Sequence, residues 1–382
     1  MAIIRLKGMT WSHPRGFNPL VACAAAWREA TGVEIVWDKR SLQDFESYPV
    51  EELARRYDLI VIDHPHVGQI TREHCLTPFD DPARAADAAA LAKASIGPSW
   101  LSYFWRDRQW ALPIDAATQV LAWRADLLPA PPRRWEDVVK LARDGAALIP
   151  LRPPHSLMSL YTLTGNLGAP CAVEGLDLVD PRAGREALDR LAELAAFVTP
   201  ACFDLDPIDV FEAMAREGSG VAVAPLIYGY VSYAAHGFRP HRLHFADIAE
   251  LGTHGPVGSA LGGTGLAVSA FGAHVQAASD FAWFAASGAT QAGLYATSGG
   301  QPANAEAWES EAVNAPVANF YSATRRTLDG SWLRPRHDGY MAFQGEASQL
   351  VNAALRGDAT GEATIVEINA AFRRSLGAEA TR

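Results

Sequence analysis

Five apolar segments in the first sixty-two positions alternate between the period of a strand and the period of a helix, and that alternation constrains the chain more than any other feature. Ile3-Ile4-Arg5-Leu6 is a short β-type run, and Leu20–Thr31 carries helical apolar spacing that Gly32 stops. Val33-Glu34-Ile35-Val36-Trp37 alternates as a strand, Leu53–Tyr57 ends a second helix, and Leu59-Ile60-Val61-Ile62 is a continuous apolar strand. A β-α-β-α-β series implies an α/β fold with a mostly parallel sheet and helices on both faces. Ligands of open α/β sheets bind beyond the carboxyl ends of the strands. Two such ends carry chemistry: Trp11, His13 and Arg15 after the first strand, and Asp63, His64 and His66 after the third.

The pattern then repeats in kind. Gln109–Asp115 reads as an extended crossing segment, Val120–Trp123 as a strand, and a helix starts near Trp135. Ala147–Leu151 is expected as a strand, Arg182–Phe197 and Ile208–Glu217 as helices, and Val221–Pro225 as a strand running into Leu226-Ile227-Tyr228-Gly229-Tyr230. This is a second α/β unit, and 382 residues suit two or three domains. Gly262–Val268 is a Gly-rich turn into a strand, Val275–Ala286 is helical, Gly299-Gly300-Gln301-Pro302 is a loop, and Ala315–Thr327 and Phe343–Leu355 are helices. No internal repeat or low-complexity linker interrupts the chain.

Composition and motifs exclude more than they assign. With 49% hydrophobic and 20% charged residues the chain is of ordinary globular make-up. A net charge of −10 leaves no basic surface for nucleic acid or anionic lipid. No window approaches the ~18 consecutive apolar residues that span a bilayer. Leu20-Val21-Ala22-Cys23 spells a lipoprotein box, but Gly8 to Pro19 contains Ser12, His13, Pro14, Arg15, Asn18 and Pro19 where an apolar signal core would stand, so the box is expected inside a helix and no export signal is expected. Cys23, Cys75, Cys171 and Cys202 show no metal-type spacing; four buried thiols are the plain reading and a Cys171–Cys202 bridge the sharper one. A nucleotide P-loop, a G-x-S-x-G elbow and an H-E-x-x-H pair are absent, and Gly262-Gly263-Thr264-Gly265 precedes a strand instead of the helix a dinucleotide fingerprint requires. Neither a cofactor nor a metal is expected. The best metal-like cluster is Asp63, His64, His66 and His74, whose spacing matches no strong motif.

Several segments in order carry a family resemblance. Tyr57–Asp63 followed by His74-Cys75-Leu76-Thr77-Pro78-Phe79-Asp80 resembles the strand, loop, helix and L-x-P-L/F-D ending of bacterial solute-binding proteins. Ala111-Leu112-Pro113-Ile114-Asp115 resembles their first hinge crossing, and Arg134-Trp135-Glu136-Asp137-Val138 a helix start in which Arg134 replaces the usual Thr. Gly262–Val268 resembles the returning crossing G-G-x-x-L-A-V, and Gly299–Ala303 the G-x-x-P-A/V loop. Together these resemble extracellular solute-binding protein family 1, the group similar to the maltose-binding proteins of ABC importers, over nearly the whole chain.

The resemblance implies a type II periplasmic-binding-protein fold: two α/β lobes, a ligand cleft and hinge crossovers. The expected lobes are 1–113 plus 262–305, and 114–261 plus 306–382. It also implies a non-enzymatic receptor that captures a small polar solute, sugar-like or a short carboxylate, by hinge closure and hands it to an ABC permease. A monomer is expected. The periplasm is the implied location, against the cytoplasm if the chain is native as given. Beyond the two strand-end loops, Asp115, His155, Tyr228, Tyr230, Thr264, Gln301 and Arg336 match places where family members contact ligand. Aromatic faces suit a sugar ring, whereas Arg15 and Arg336 would suit a carboxylate. Two other readings stay open: a cytoplasmic solute sensor or scavenger, and a metal-dependent enzyme on the same fold using Asp63, His64 and His66.

Overall fold

In the computed structural model, which describes residues 3–41, 49–173 and 175–377, the first strand is longer than Ile3–Leu6. It runs Arg5–Trp11 (β1) and buries Leu6, Met9, Thr10 and Trp11. The turn that follows is correspondingly short, because Pro14 opens the helix Pro14–Thr31. Proline suits that first position, where its missing N–H costs nothing. Gly32 closes the helix in the left-handed region at φ 78°, as its lack of a Cβ allows. Cys23 lies inside this helix, fully buried, so the lipoprotein-like box is helix interior as expected.

The chain divides into two compact units: Met1–Ala116 with Gly262–Ala315 and Arg336–Asp338, and Ala117–Leu261 with Pro316–Pro335 and Gly339–Arg382. In the first unit β1 pairs in parallel with β2 (Glu34–Arg40) and with β3 (Leu59–Ile62). The short β4 (Leu76–Thr77) and β10 (Leu261–Ser269) pair antiparallel to each other, and β10 also lies antiparallel to β3. The sheet is therefore mixed, because β10 is a returning strand and not the product of a further helical crossover. Alternation along β3 builds both faces. Leu59 and Val61 join Leu6, Trp37, Leu20 and Phe281 on one side, while Ile60 and Ile62 join Met9, Leu53, Ile70 and Tyr103 on the other.

The second unit departs further from a repeated α/β pattern. Its strands are the later part of β7 (Leu112–Trp123), paired antiparallel with both β8 (Val223–Tyr228) and β9 (His244–Ala246); β5 (Phe104–Trp105) and β6 (Arg108–Gln109) form a small hairpin in the first unit. The strand expected over Ala147–Leu151 reduces to a bridge between Ala147 and Val223. Pro150 has no N–H to offer, and Leu151 donates to Cys202 O at 2.9 Å, so the segment leaves the sheet. Helices dominate instead. His155–Asn166 is buried at every position; Pro181–Ala195 and Tyr340–Arg356 pack with it and with each other, and Gly361–Leu376 packs on both of those. The helix expected over Ala315–Thr327 is interrupted at Asn319 (φ 60°) and resumes as Phe320–Asp329. All four cysteines are free and buried, so the Cys171–Cys202 bridge does not form. Among the described residues no helix is long and apolar enough to cross a membrane.

Candidate functional site

In the first unit the β1 end is organised around one buried ion pair. His13 caps the following helix, its Nδ1 accepting from Arg15 N at 3.1 Å. Arg15, 3% exposed, donates from Nε to Asp115 Oδ2 at 2.8 Å and from Nη2 to Oδ1. Asp115 lies near the end of the first-unit part of β7 and is 2% exposed. Burial pushes its carboxyl up, and the charge and hydrogen bonds of Arg15 oppose that rise. Arg15 thus holds the crossing strand. Trp11 is core: it is 3% exposed, and its ring presses so closely on Gly16 that a Cβ there would fall 2.3 Å from it.

Gln301 is a second brace on β7. Its Nε2 donates to Ala116 O at 2.7 Å, and Ala116 N donates to Gln301 O at 3.0 Å. Thr264, on β10, is buried with an Oγ1 that makes no hydrogen bond among the described residues. Arg336 is occupied elsewhere, donating from Nη1 to the carbonyls of Leu101, Ser102 and Phe104 and lying 5.5 Å over the Trp105 ring. Burial lowers its guanidinium to about 10.

At the end of β3, Asp63 caps a single turn His64–His66 by accepting from His64 N at 2.8 Å. His64 is fully buried, edge-on to Tyr103, and His66 is 6% exposed. No group of three or more His, Cys, Asp or Glu among the described residues is placed to hold a metal. The metal-enzyme alternative built on Asp63, His64 and His66 loses its site: the carboxylate is a turn cap and the imidazoles pack into the protein.

The second unit brings His155 and Tyr228 together. Tyr228 ends β8, half-buried, with its ring 6.2 Å from that of His155, the first residue of the His155–Asn166 helix. Tyr230 turns inward, 5% exposed against Phe211, so the Gly229 between them leaves one ring and not two toward the strand end. Burial, with Arg152 and Arg334 adding positive charge, brings the His155 imidazole down to about 3. Around it stand residues that sequence reasoning did not assign. Arg334 is 4% exposed and donates to Gln344 Oε1 at 3.1 Å, while the Tyr161 ring packs at 5.0 Å against Trp332, the two planes tilted by 60°. Tyr161 and Tyr340 lie beside Arg334, and burial raises both phenols. The tyrosines sit in helices whose apolar spacing looks like core.

Two units, each a sheet edged with helices and linked through β7 and β10, with polar and aromatic residues gathered at strand ends and a buried helix start, define a solute-binding class of protein. The chain belongs to the bacterial extracellular solute-binding proteins, whose family model matches residues 22–320. Among curated protein sequences, none matches it. Solved structures that share the fold include maltose-bound MalE3 of T. maritima, with a TM-score of 0.80, 16% identity, and coverage of 97% of this chain and 99% of that one. An ABC transporter solute-binding protein of Thermotoga lettingae bound with α-D-tagatose gives 0.81, 15%, 98% and 100%. One of Agrobacterium radiobacter K84 in complex with ribitol gives 0.78, 19%, 97% and 98%. At these identities the likeness establishes the type II periplasmic-binding-protein fold.

Proposed function

We propose that the protein is the solute-capturing component of an ABC importer, taking up a small polar solute of sugar, polyol or short-carboxylate type without transforming it, and delivering it to a permease outside the cytoplasmic membrane. The observation that carries this reading is the family match over residues 22–320, together with fold relatives that hold maltose, tagatose and ribitol. Tyr228 supplies an aromatic face, and His155 beside it supplies a polar group to solute oxygens. Arg15, Asp115, Gln301 and Arg336 support these contacts by fixing the crossing strand and its neighbours.

A thermal-shift screen against sugars, polyols and short organic acids tests the proposal. A ligand at a hundred times its Kd adds about 2.7 kcal/mol to native stability, and Tyr228→Ala is expected to remove the shift while leaving the ligand-free melting point nearly unchanged. The reading is overturned if no compound stabilises the protein and denaturation releases no bound small molecule, or if a stabilising compound is converted to product.

A further inference from the structure

The start of the His155–Asn166 helix collects groups that sugar hydroxyls alone do not require. The helix has Pro154 at its cap and no side-chain cap hydrogen bond. His155 is 4% exposed and Ser156 fully buried, yet His155 Nδ1 and Ser156 Oγ make no hydrogen bond among the described residues. Just before them, Arg152 is half-buried, and its guanidinium forms no ion pair or hydrogen bond among the described residues. Arg334 adds a second positive charge felt at His155, while no carboxylate acts on that imidazole. The nearby Asp206 is committed to capping its own helix, accepting from Ile208 N at 2.8 Å and Asp209 N at 3.0 Å. A helix N-terminus presents partial positive charge and favours anions. An un-neutralised guanidinium and two unsatisfied buried polar groups in one turn extend that preference to a specific place.

We infer that the bound solute carries an oxyanion, a carboxylate or a phosphate, seated on the first turn of the His155–Asn166 helix between Arg152, Ser156 and His155, with Tyr228 against its carbon skeleton. This rests on the solute-binding reading above and narrows it to one charge class. It also separates the sites of charge: Arg15 holds Asp115 and Arg336 holds backbone carbonyls, so selectivity falls to Arg152 and Arg334.

Matched pairs of probes test it: D-galactose against D-galacturonate, and D-glucose against D-glucose 6-phosphate, titrated by calorimetry into the full chain at low and high salt. The charged member of at least one pair is expected to bind about 30-fold or more tightly than its neutral partner, as a buried charge contact gives, and more weakly at high salt. The pair that responds tells carboxylate from phosphate. Arg152→Gln, at a half-exposed position, is expected to abolish the preference, and Ser156→Ala to reduce it. Equal or better binding of the neutral members overturns the oxyanion assignment and leaves the solute-binding reading standing, as does a preference that survives Arg152→Gln. Absence of binding by all four probes, with no stabilising compound in the wider screen and no released ligand, overturns both.

Discussion

Replacing Arg15 by Met leaves the Asp115 carboxylate, 2% exposed, without its counter-ion. A carboxylate in that position avoids the cost of a buried charge by taking up a proton. At pH 7 this costs about 1.36 kcal/mol for each unit above an unfolded-state pKa near 3.9, or about 4 kcal/mol. The figure agrees with the roughly 3–5 kcal/mol typical of breaking a buried pair from one side. It corresponds to a fall of about 10 °C in the melting point of a unit of this size. The sign of the pH dependence follows from the same proton. Burial raises the folded-state pKa of Asp115 and Arg15 opposes the rise, so removing Arg15 raises it further. A group raised in this way stabilises fully below its unfolded pKa and loses that contribution as pH climbs through the folded value. The variant should therefore nearly match the wild type until pH passes the wild type's own raised folded value, and fall behind by about 1.36 kcal/mol per unit above that. Urea unfolding followed by tryptophan fluorescence at pH 4.5, 6 and 7.5 measures this. In the Arg15→Met, Asp115→Asn double variant most of the loss should return, since the amide needs no proton. A penalty under ~1 kcal/mol at pH 7.5, a pH-independent penalty, or a double variant no better than Arg15→Met would refute the reasoning, because breaking a buried pair from one side entails a large, pH-dependent loss that removing the second charge relieves.

Three further outcomes rest on other buried groups. Gln119 accepts from Thr162 Oγ1 at 2.6 Å and donates to Leu226 O at 2.9 Å and Ser159 Oγ at 3.1 Å; Gln119→Leu should cost about 2–4 kcal/mol in thermal unfolding, since each buried partner left unsatisfied costs about 1–3 kcal/mol. Burial pushes the Cys23, Cys75 and Cys171 thiols up to about 12, so a thiol reagent at pH 8 should label none of them in the native protein and all four cysteines in urea. His155 is held down to about 3 by burial and by Arg152 and Arg334. Its contribution is complete above the unfolded pKa near 6.5 and lost as pH falls, so unfolding at pH 5 should be easier by about 2 kcal/mol on its account, and His155→Gln should flatten that slope.

The first unit is the part of the molecule that can be read from its sequence. Leu59–Ile62 is apolar at every position because both faces of β3 are covered, and Leu20–Thr31 and Gly32 mark a helix and its stop by spacing and by backbone freedom. Those are local signals. The Ala147–Leu151 segment carries the same apolar signal and fails as a strand, because Pro150 withdraws a donor and its neighbour's bond goes to Cys202, over fifty residues away. The His155–Asn166 helix is invisible for the opposite reason. It is buried on all sides, so it shows no polar face to set a period, and His, Ser and Thr stand at positions that look exposed in sequence and are closed in the fold.

The same distinction decides which site residues can be recognised in advance. Strand ends are given by topology, so Trp11, Arg15 and Asp63 are found there, but what an arginine does there depends on a partner far along the chain. Arg15 meets Asp115 across 100 positions, and Arg336 reaches Leu101, Ser102 and Phe104 across more than 230. An arginine at a strand end therefore signals an anion, without telling a substrate from the protein's own carboxylate. Arg152 shows the complementary case. In sequence it is one arginine among many; in the structure it stands beside a buried helix start with two polar groups unsatisfied among the described residues. Specificity for charge is consequently set where the fold leaves positive potential unspent, and in this chain that place is the second unit and not the ion pair of the first.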